Sequence, residues 1–240
     1  FICTNQQHAL HVAPLPYRYL ARNPYHAAPK PTINICTYGH PAEVHPISRP
    51  HPWRLARSKD PRWMKLYGPS EATANGYFTS ASGQTIYCAT QFPPAYHDNY
   101  FSVDNAQNMI HRCLLYRDGA GYKVKRATEQ QREFLSSTEQ WFRPVNLLTG
   151  PDGALYLVDM YREIIEDYSA IPRFLQQQYG LIEGCRQGRI YRVVADGAPK
   201  PRKFDLTKAT AEELVGHLSD ANGWWRRTAQ RLLVQRADKT

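Results

Sequence analysis

Short runs of β-branched and aromatic residues, each bounded by Gly, Pro, Asn or Asp, recur along most of this chain, and that spacing predicts β-strands rather than helices. The clearest run is "TGPDGALYLVD" at 149–159. Pro151-Asp152-Gly153 supplies turn chemistry, and Leu155, Leu157 and Asp159 then alternate with Tyr156 and Val158. "YRDGAGYKV" at 116–124 predicts a hairpin, with Asp118-Gly119 between two extended arms. Helical spacing is confined to two stretches. One is "EIIEDYSAIPRFLQQQYGL" (163–181), predicted to break at Pro172. The other is the tail, where Leu214, Leu218, Trp225, Ala229, Leu232 and Leu233 share a face and Asn222 is a suitable N-cap.

The strand pattern repeats. Phe1, Asn5, Gln7, His11 and Leu15 return one hundred residues later as Phe101, Asn105, Gln107, His111 and Leu115. A weaker third copy at 185–194 keeps Gln187, Ile190 and Arg192. A second element, Gly followed by an apolar residue and Tyr, is shared by "ASGQTIYCA" (81–89) and "PDGALYLVD" (151–159). Weak self-similarity between groups of strands predicts a β-propeller, because one blade cannot bury both of its faces alone. The expected fold is therefore mainly β. A partial propeller over 1–197 has blade portions at 1–20, about 73–126 and about 141–195, with each repeated phrase as an inner strand pair. The rest of the propeller is expected upstream of Phe1. Residues 21–72, crowded with Pro, His, Arg and Trp, are expected to form a long irregular loop. Residues 198–240 read as a basic, Pro-containing linker and a first HEAT-like helix pair.

Composition narrows the chemistry. Hydrophobic residues make up 42% of the 240 residues, enough for a core, and no apolar run approaches the roughly 18 residues of a membrane span. The five cysteines are scattered singly, without the paired spacing of a zinc ribbon or a c-type haem attachment, so no metal is expected in this segment. Net charge is +9, spread through loops and the tail. That suits an acidic protein partner or an anionic membrane surface, and the absence of a clustered stripe argues against nucleic acid.

The runs "EQWFRPVNLLTGPDGALYLVDMYREIIED", "QGRIYRVV", "HVAPLPYRYLARNPY", "ANGYFTSASGQTIY" and "LSDANGWWRRTAQRLLVQR" resemble planctomycete-type proteins labelled "membrane-bound dehydrogenase domain". Those proteins join a propeller related to glucose/sorbosone dehydrogenases to HEAT-like repeats. The resemblance implies an exported, periplasmic quinoprotein-type dehydrogenase that binds pyrroloquinoline quinone and calcium, oxidises a sugar or alcohol, and passes electrons to a c-type cytochrome. It places Arg143 on the cofactor, with Trp141 where a second Arg would stand and Ala106 where a Lys would fall. The competing expectation is a non-catalytic propeller–HEAT scaffold, its axis plugged by Gln7, Gln107 and apolar side chains.

Candidate site residues follow from both lines. Arg143 holds an anionic group or clamps carbonyls between blades. Asp159, Tyr161 and Arg162 end a strand, where ligand contacts gather or where a structural staple would sit. His8 lacks a repeat counterpart and is the better axial candidate. His11 and His111, at equivalent repeat positions, read as packed histidines. His40, His45, His51 and Arg54 belong to a proline-stiffened cap packed by Trp53 and Trp63. Trp224 and Trp225 read as helix-pair core and a contact to the next repeat.

Overall fold

The computed structural model describes residues 1–4, 7–12, 17–25, 32–36, 42–127, 131–165, 171, 173–178, 183–201 and 203–236. In chain order the elements are β1 (Leu10–Val12), α1 (Tyr17–Leu20), β2 (Thr32–Asn34), α2 (Pro52–Ser58), α3 (Pro61–Ala72), β3 (Ala81–Ile86), β4 (Tyr100–Asp104), β5 (Met109–Asp118), β6 (Gly121–Arg126), β7 (Leu135–Ser136), β8 (Pro144–Thr149), β9 (Leu155–Asp159), α4 (Arg173–Gln178), β10 (Arg189–Val193), α5 (Ala211–His217) and α6 (Gly223–Arg236). The fold is mainly β, and every strand pairing is antiparallel. Three sheets form: β1–β2, then β3–β4–β5–β6 with β7 on β5, then β8–β9–β10. They close into neither a barrel nor a complete propeller among the described residues. No described helix is long and apolar enough to cross a membrane.

The middle sheet is covered on both faces, which is why β4 is buried at all five positions. Phe101, Val103 and Ile110 pack with Phe142, just ahead of β8, and with Leu147, Leu155 and Leu157 of the third sheet, joined by Tyr87, Ala89 and Phe92. Tyr100, Cys113 and Val124 face the other way, toward Ala9, Cys36 and Ala42. Strand alternation produces this division, since neighbouring residues on β4 and β5 point to opposite faces. At full burial each large apolar side chain contributes about 1.5–3 kcal/mol, so this two-sided core is the main stabilising term. Tyr87 links it to the turn before β9: its hydroxyl donates to the Gly153 carbonyl (2.7 Å) and accepts from Phe92 N–H (2.9 Å).

All three repeated phrases contain extended chain. Residues 1–12 turn back through an Ile2–Leu10 bridge, 101–112 form most of the β4–β5 hairpin, and 185–194 contain β10. Their place in the sheets differs from the expectation. The middle and third sheets approach each other closely at β3 and β8, and a Cβ on Gly83 of β3 would lie only 2.5 Å from the Asn146 Cα of β8. The phrase at 101–112 occupies the second and third strands of its sheet, the one at 185–194 only the third strand, and the one at 1–12 a strand of the two-stranded sheet. The match of 81–89 to 151–159 is likewise displaced by one strand, because β3 is first in its sheet and β9 second. The two motif glycines serve different purposes. Gly83 (φ +54°) sits at a bulge in β3 and Gly153 (φ +81°) in the turn before β9, yet both need the left-handed backbone that glycine tolerates.

The described residues of 21–72 include regular elements as well as loop. They supply β2, which pairs with β1, and helices α2 and α3. Pro52 and Pro61 stand at the first helical position, where a missing N–H costs nothing and φ is already helical. The His51 ring accepts from Trp53 N–H at the α2 N-terminus, and the Arg57 guanidinium lies over both the Trp53 and Trp63 rings (4.7 and 4.8 Å to the centroids). His40 and Pro172 lie outside the described residues.

The tail forms a helix pair, as its spacing predicts. Thr210 and Glu213 make a capping box on α5, and Asn222 accepts from Trp224 N–H at the start of α6. Trp225 is buried, stacks on His217 and donates from Nε1 to the Pro151 carbonyl (2.8 Å). That bond and those from Asn222 Nδ2 to the Gly150 and Pro151 carbonyls dock the pair on the β8–β9 turn.

Candidate functional site

Polar side chains concentrate in two places, and the expected site residues divide between them. The first lies where β4 and β9 end. Each strand finishes in an Asp whose carboxylate reaches back to the backbone that opens its own sheet. Asp104 accepts from Thr79 and Ser80 N–H before β3, and from Ala106 and Gln107 N–H in its own turn. Asp159 accepts from Arg143 N–H before β8 (2.7 Å) and from Tyr161 N–H (2.9 Å). The two Asp therefore play the same part in successive sheets. Burial raises the Asp104 pKa, against the pull of these donors. Asp159 Oδ2 is buried without a hydrogen-bond partner among the described residues.

Arg143 is 4% exposed, and all three of its guanidinium nitrogens donate to backbone carbonyls. Nε reaches Arg162 O (3.0 Å), Nη1 reaches Asn105 O (2.8 Å) and Ala106 O (3.4 Å), and Nη2 reaches Glu163 O. The side chain thus clamps the turn after β4 of one sheet to the segment after β9 of the next. Burial lowers its pKa to about 10, which leaves it charged at neutral pH. This geometry fits a clamp rather than a cradle for a quinone's carboxylates, since an anion would have to displace carbonyls already held. Arg162 is half-buried, and its side chain makes long contacts to the Met160 and Gln187 carbonyls (both 3.4 Å) among the described residues. Gln107 is also built in: its amide accepts from Gly76 N–H and donates to Tyr77 O.

His8 is not part of this group. It lies fully buried on the face of the middle sheet that turns away from the third sheet, with its ring stacked on Phe78 (4.2 Å between centroids). Cys36 Sγ is 3.2 Å from its Nδ1 and 3.4 Å from its Nε2, and Cys113 Sγ is 3.4 Å from Nε2. His111 enters the same pocket from β5, two residues from Cys113 and so on the same strand face. Its Nδ1–H donates to Glu133 (2.6 Å), and Glu133 is held by Arg126 (3.1 Å) and by His45 N–H (2.9 Å). Burial opposes ionisation of Glu133, but His111, Arg126 and the His45 amide together keep its pKa below the ordinary value. Burial pushes the Cys36 thiol up to about 12 and the Cys113 thiol well above its usual value, and pulls the His8 ring well below its own. His11 and His111, sequence equivalents, have different surroundings: His11 packs edge-on to Phe1 and Tyr122.

Sequence reasoning singled out His8 but missed Cys36, Cys113, Glu133 and Arg126. The one local signal was the His-x-Cys pair at 111–113 on an alternating strand.

Residues 1–197 match the family described as "Domain of unknown function (DUF7133)". The chain belongs to that family. The DUF7133 match ends just beyond β10, ahead of the helix pair. No curated protein and no solved structure matches the chain.

Proposed function

We propose that the DUF7133 segment is a run of consecutive blades of an incomplete β-propeller, and that it serves as a non-catalytic platform on which the helix pair is mounted as the start of a HEAT-like array. The observation that carries this reading is the commitment of Arg143 to four backbone carbonyls spanning two sheets. A cation that must hold a cofactor's carboxylates has free donors aimed at a cavity. Here the donors fasten one sheet to the next, and Asp104 and Asp159 fasten each sheet to its own first strand. The recurrence of the Asp role argues for construction, because a catalytic role does not repeat sheet by sheet. In a dehydrogenase of the resembled kind, quinone chemistry and electron transfer to a c-type cytochrome would rest on residues outside this segment.

The test is spectroscopic. The purified chain is titrated with pyrroloquinoline quinone and calcium while quinone absorbance and sugar-dependent dye reduction are followed. No saturable change is expected. A saturable quinone band that Arg162→Ala abolishes, with the circular dichroism spectrum intact, would return the segment to a cofactor-binding role.

A further inference from the structure

Two strands share one edge of β5, with a gap between them. β6 pairs with that edge from Cys113 onward, and β7 pairs with it at Met109 and Ile110. At the gap, Ala127 N–H donates to the Arg112 carbonyl and Phe134 N–H to the Ile110 carbonyl (both 3.1 Å). Beside it lies a cavity of about 200 Å³, lined by Tyr96, Arg112, Arg126, Arg132, Glu133 and Phe134. Three guanidinium groups therefore face one carboxylate. That carboxylate is already committed: one Glu133 oxygen accepts from Arg126 and the His45 N–H, the other from His111. Arg126 is committed as well, to Glu133 and to the Glu43 and Arg132 carbonyls.

Arg112 is different. Strand alternation turns it away from the His111–Cys113 face and toward the third sheet. Its guanidinium lies over the Tyr96 ring, 4.1 Å from the centroid, and Nη2 reaches the Ala127 carbonyl at 3.4 Å. Nη1 is buried and has no hydrogen-bond partner among the described residues. Tyr96 lies beneath the guanidinium plane, so it attracts the charge without accepting from Nη1. Burial lowers the Arg112 pKa, yet an arginine so placed remains charged at neutral pH. A buried charged donor with no acceptor is costly to maintain, and the cavity in front of it is where an acceptor would sit.

Size and donor geometry choose the ligand. Pockets for drug-sized ligands run to about 300–1,000 Å³, so this smaller cavity takes one anionic head group rather than a whole cofactor. A guanidinium lying flat on an aromatic ring offers its N–H groups in one plane, which matches a planar carboxylate. Tyr96 and Phe134 (5.9 Å between ring centroids) give an apolar stem a surface to pack on. Arg132, exposed at the rim, adds a second cation. A phosphate dianion would require more donors than these.

We infer that this pocket binds a carboxylate carried on a short aliphatic stem, with Arg112 Nη1 as the buried donor and Arg132 as the cation at the mouth. The carboxylate comes either from a free small acid or from an acidic side chain of a partner protein. The inference stands on the pocket alone and does not depend on whether the segment is a platform.

The experiment uses the whole chain, nitrogen-15 labelled, and follows the amide signals of Ala127 and Phe134 by NMR. The probes are glutarate, a tripeptide blocked at both ends with glutamate in the middle, and inorganic phosphate, with chloride holding the ionic strength constant. Glutarate or the peptide should shift both signals saturably, in the millimolar range expected for one head group. Tighter binding of glutarate assigns the site to a free acid and tighter binding of the peptide to a partner's side chain; either supports the site. Arg112→Gln should weaken binding about tenfold or more, the loss of one charge-assisted hydrogen bond. Arg132→Gln, at an exposed residue whose loss leaves the core intact, should weaken it about two- to fivefold. Arg186→Gln, at an exposed arginine outside the lining, should leave it unchanged. If Arg112→Gln fails to fold by circular dichroism, the comparison of Arg132→Gln with Arg186→Gln decides. The inference is overturned if neither carboxylate saturates, if phosphate binds more tightly than both, if folded Arg112→Gln binds as the parent chain does, or if Arg132→Gln and Arg186→Gln have equal effects.

Discussion

Replacing Arg143 by Met removes every guanidinium donor while keeping most of the aliphatic stem, so it isolates the clamp from simple loss of volume. Four carbonyls then lose this donor: those of Asn105, Ala106, Arg162 and Glu163. A hydrogen bond from a charged donor contributes about 1.5–3 kcal/mol net, and the four share one side chain, so they do not add. Some carbonyls will recruit water into the vacated space. The expected loss is about 3–4 kcal/mol, near the figure for breaking a buried polar network. For a chain of this size each kcal/mol is worth about 2–4 °C, so the melting temperature should fall by about 6–16 °C. Urea unfolding followed by circular dichroism should show a lower midpoint with an unchanged slope. Arg143→Lys restores the charge but places three donors at one point, and should recover only part of the loss. A loss below about 1 kcal/mol for the Met variant, with cooperativity intact, would show that these carbonyls are satisfied without the side chain and would refute the clamp.

Two further substitutions test the fold around it. Gly83→Ala combines a left-handed backbone with a Cβ placed 2.5 Å from the Asn146 Cα; it should cost at least about 2 kcal/mol in urea unfolding, and a neutral result would mean that β3 and β8 do not meet this closely. Trp225→Phe removes the Nε1 donor to Pro151. Amide exchange in α6 should accelerate about fivefold, as expected for roughly 1 kcal/mol, with exchange in β4 unchanged, and equal acceleration in both would deny that the helix pair opens as its own unit.

Local chemistry made much of the β-architecture legible. Asp118-Gly119 and Pro151-Asp152-Gly153 turn the chain where their backbone preferences require, and the alternation of Leu155–Asp159 sets which residues face the core. The Thr210/Glu213 box and Asn222 start helices by hydrogen bonds that span only two or three residues. The same local signals misled where one residue type serves two ends. Gly83 and Gly153 look alike in sequence because both need positive φ, yet one makes a bulge and the other a turn, and the matched segments fall on non-equivalent strands. Pro52 and Pro61 read as loop residues because proline ends helices more visibly than it begins them.

The polar sites were legible only in part. Arg143 and Asp159 stood out, but whether an arginine clamps carbonyls or waits for an anion depends on what the next sheet places against it. The His8 pocket was only faintly legible, because its side chains come from positions 8, 36, 111 and 113 and only the His-x-Cys pair at 111–113 is local. The chain by itself determined where strands and turns form, since those choices are made by backbone preferences over a few residues. Only the tertiary structure decided which strands of neighbouring sheets meet, what Arg143 holds and which cysteines meet which histidines, because stacking of sheets joins residues far apart in the chain by burial rather than by any local rule.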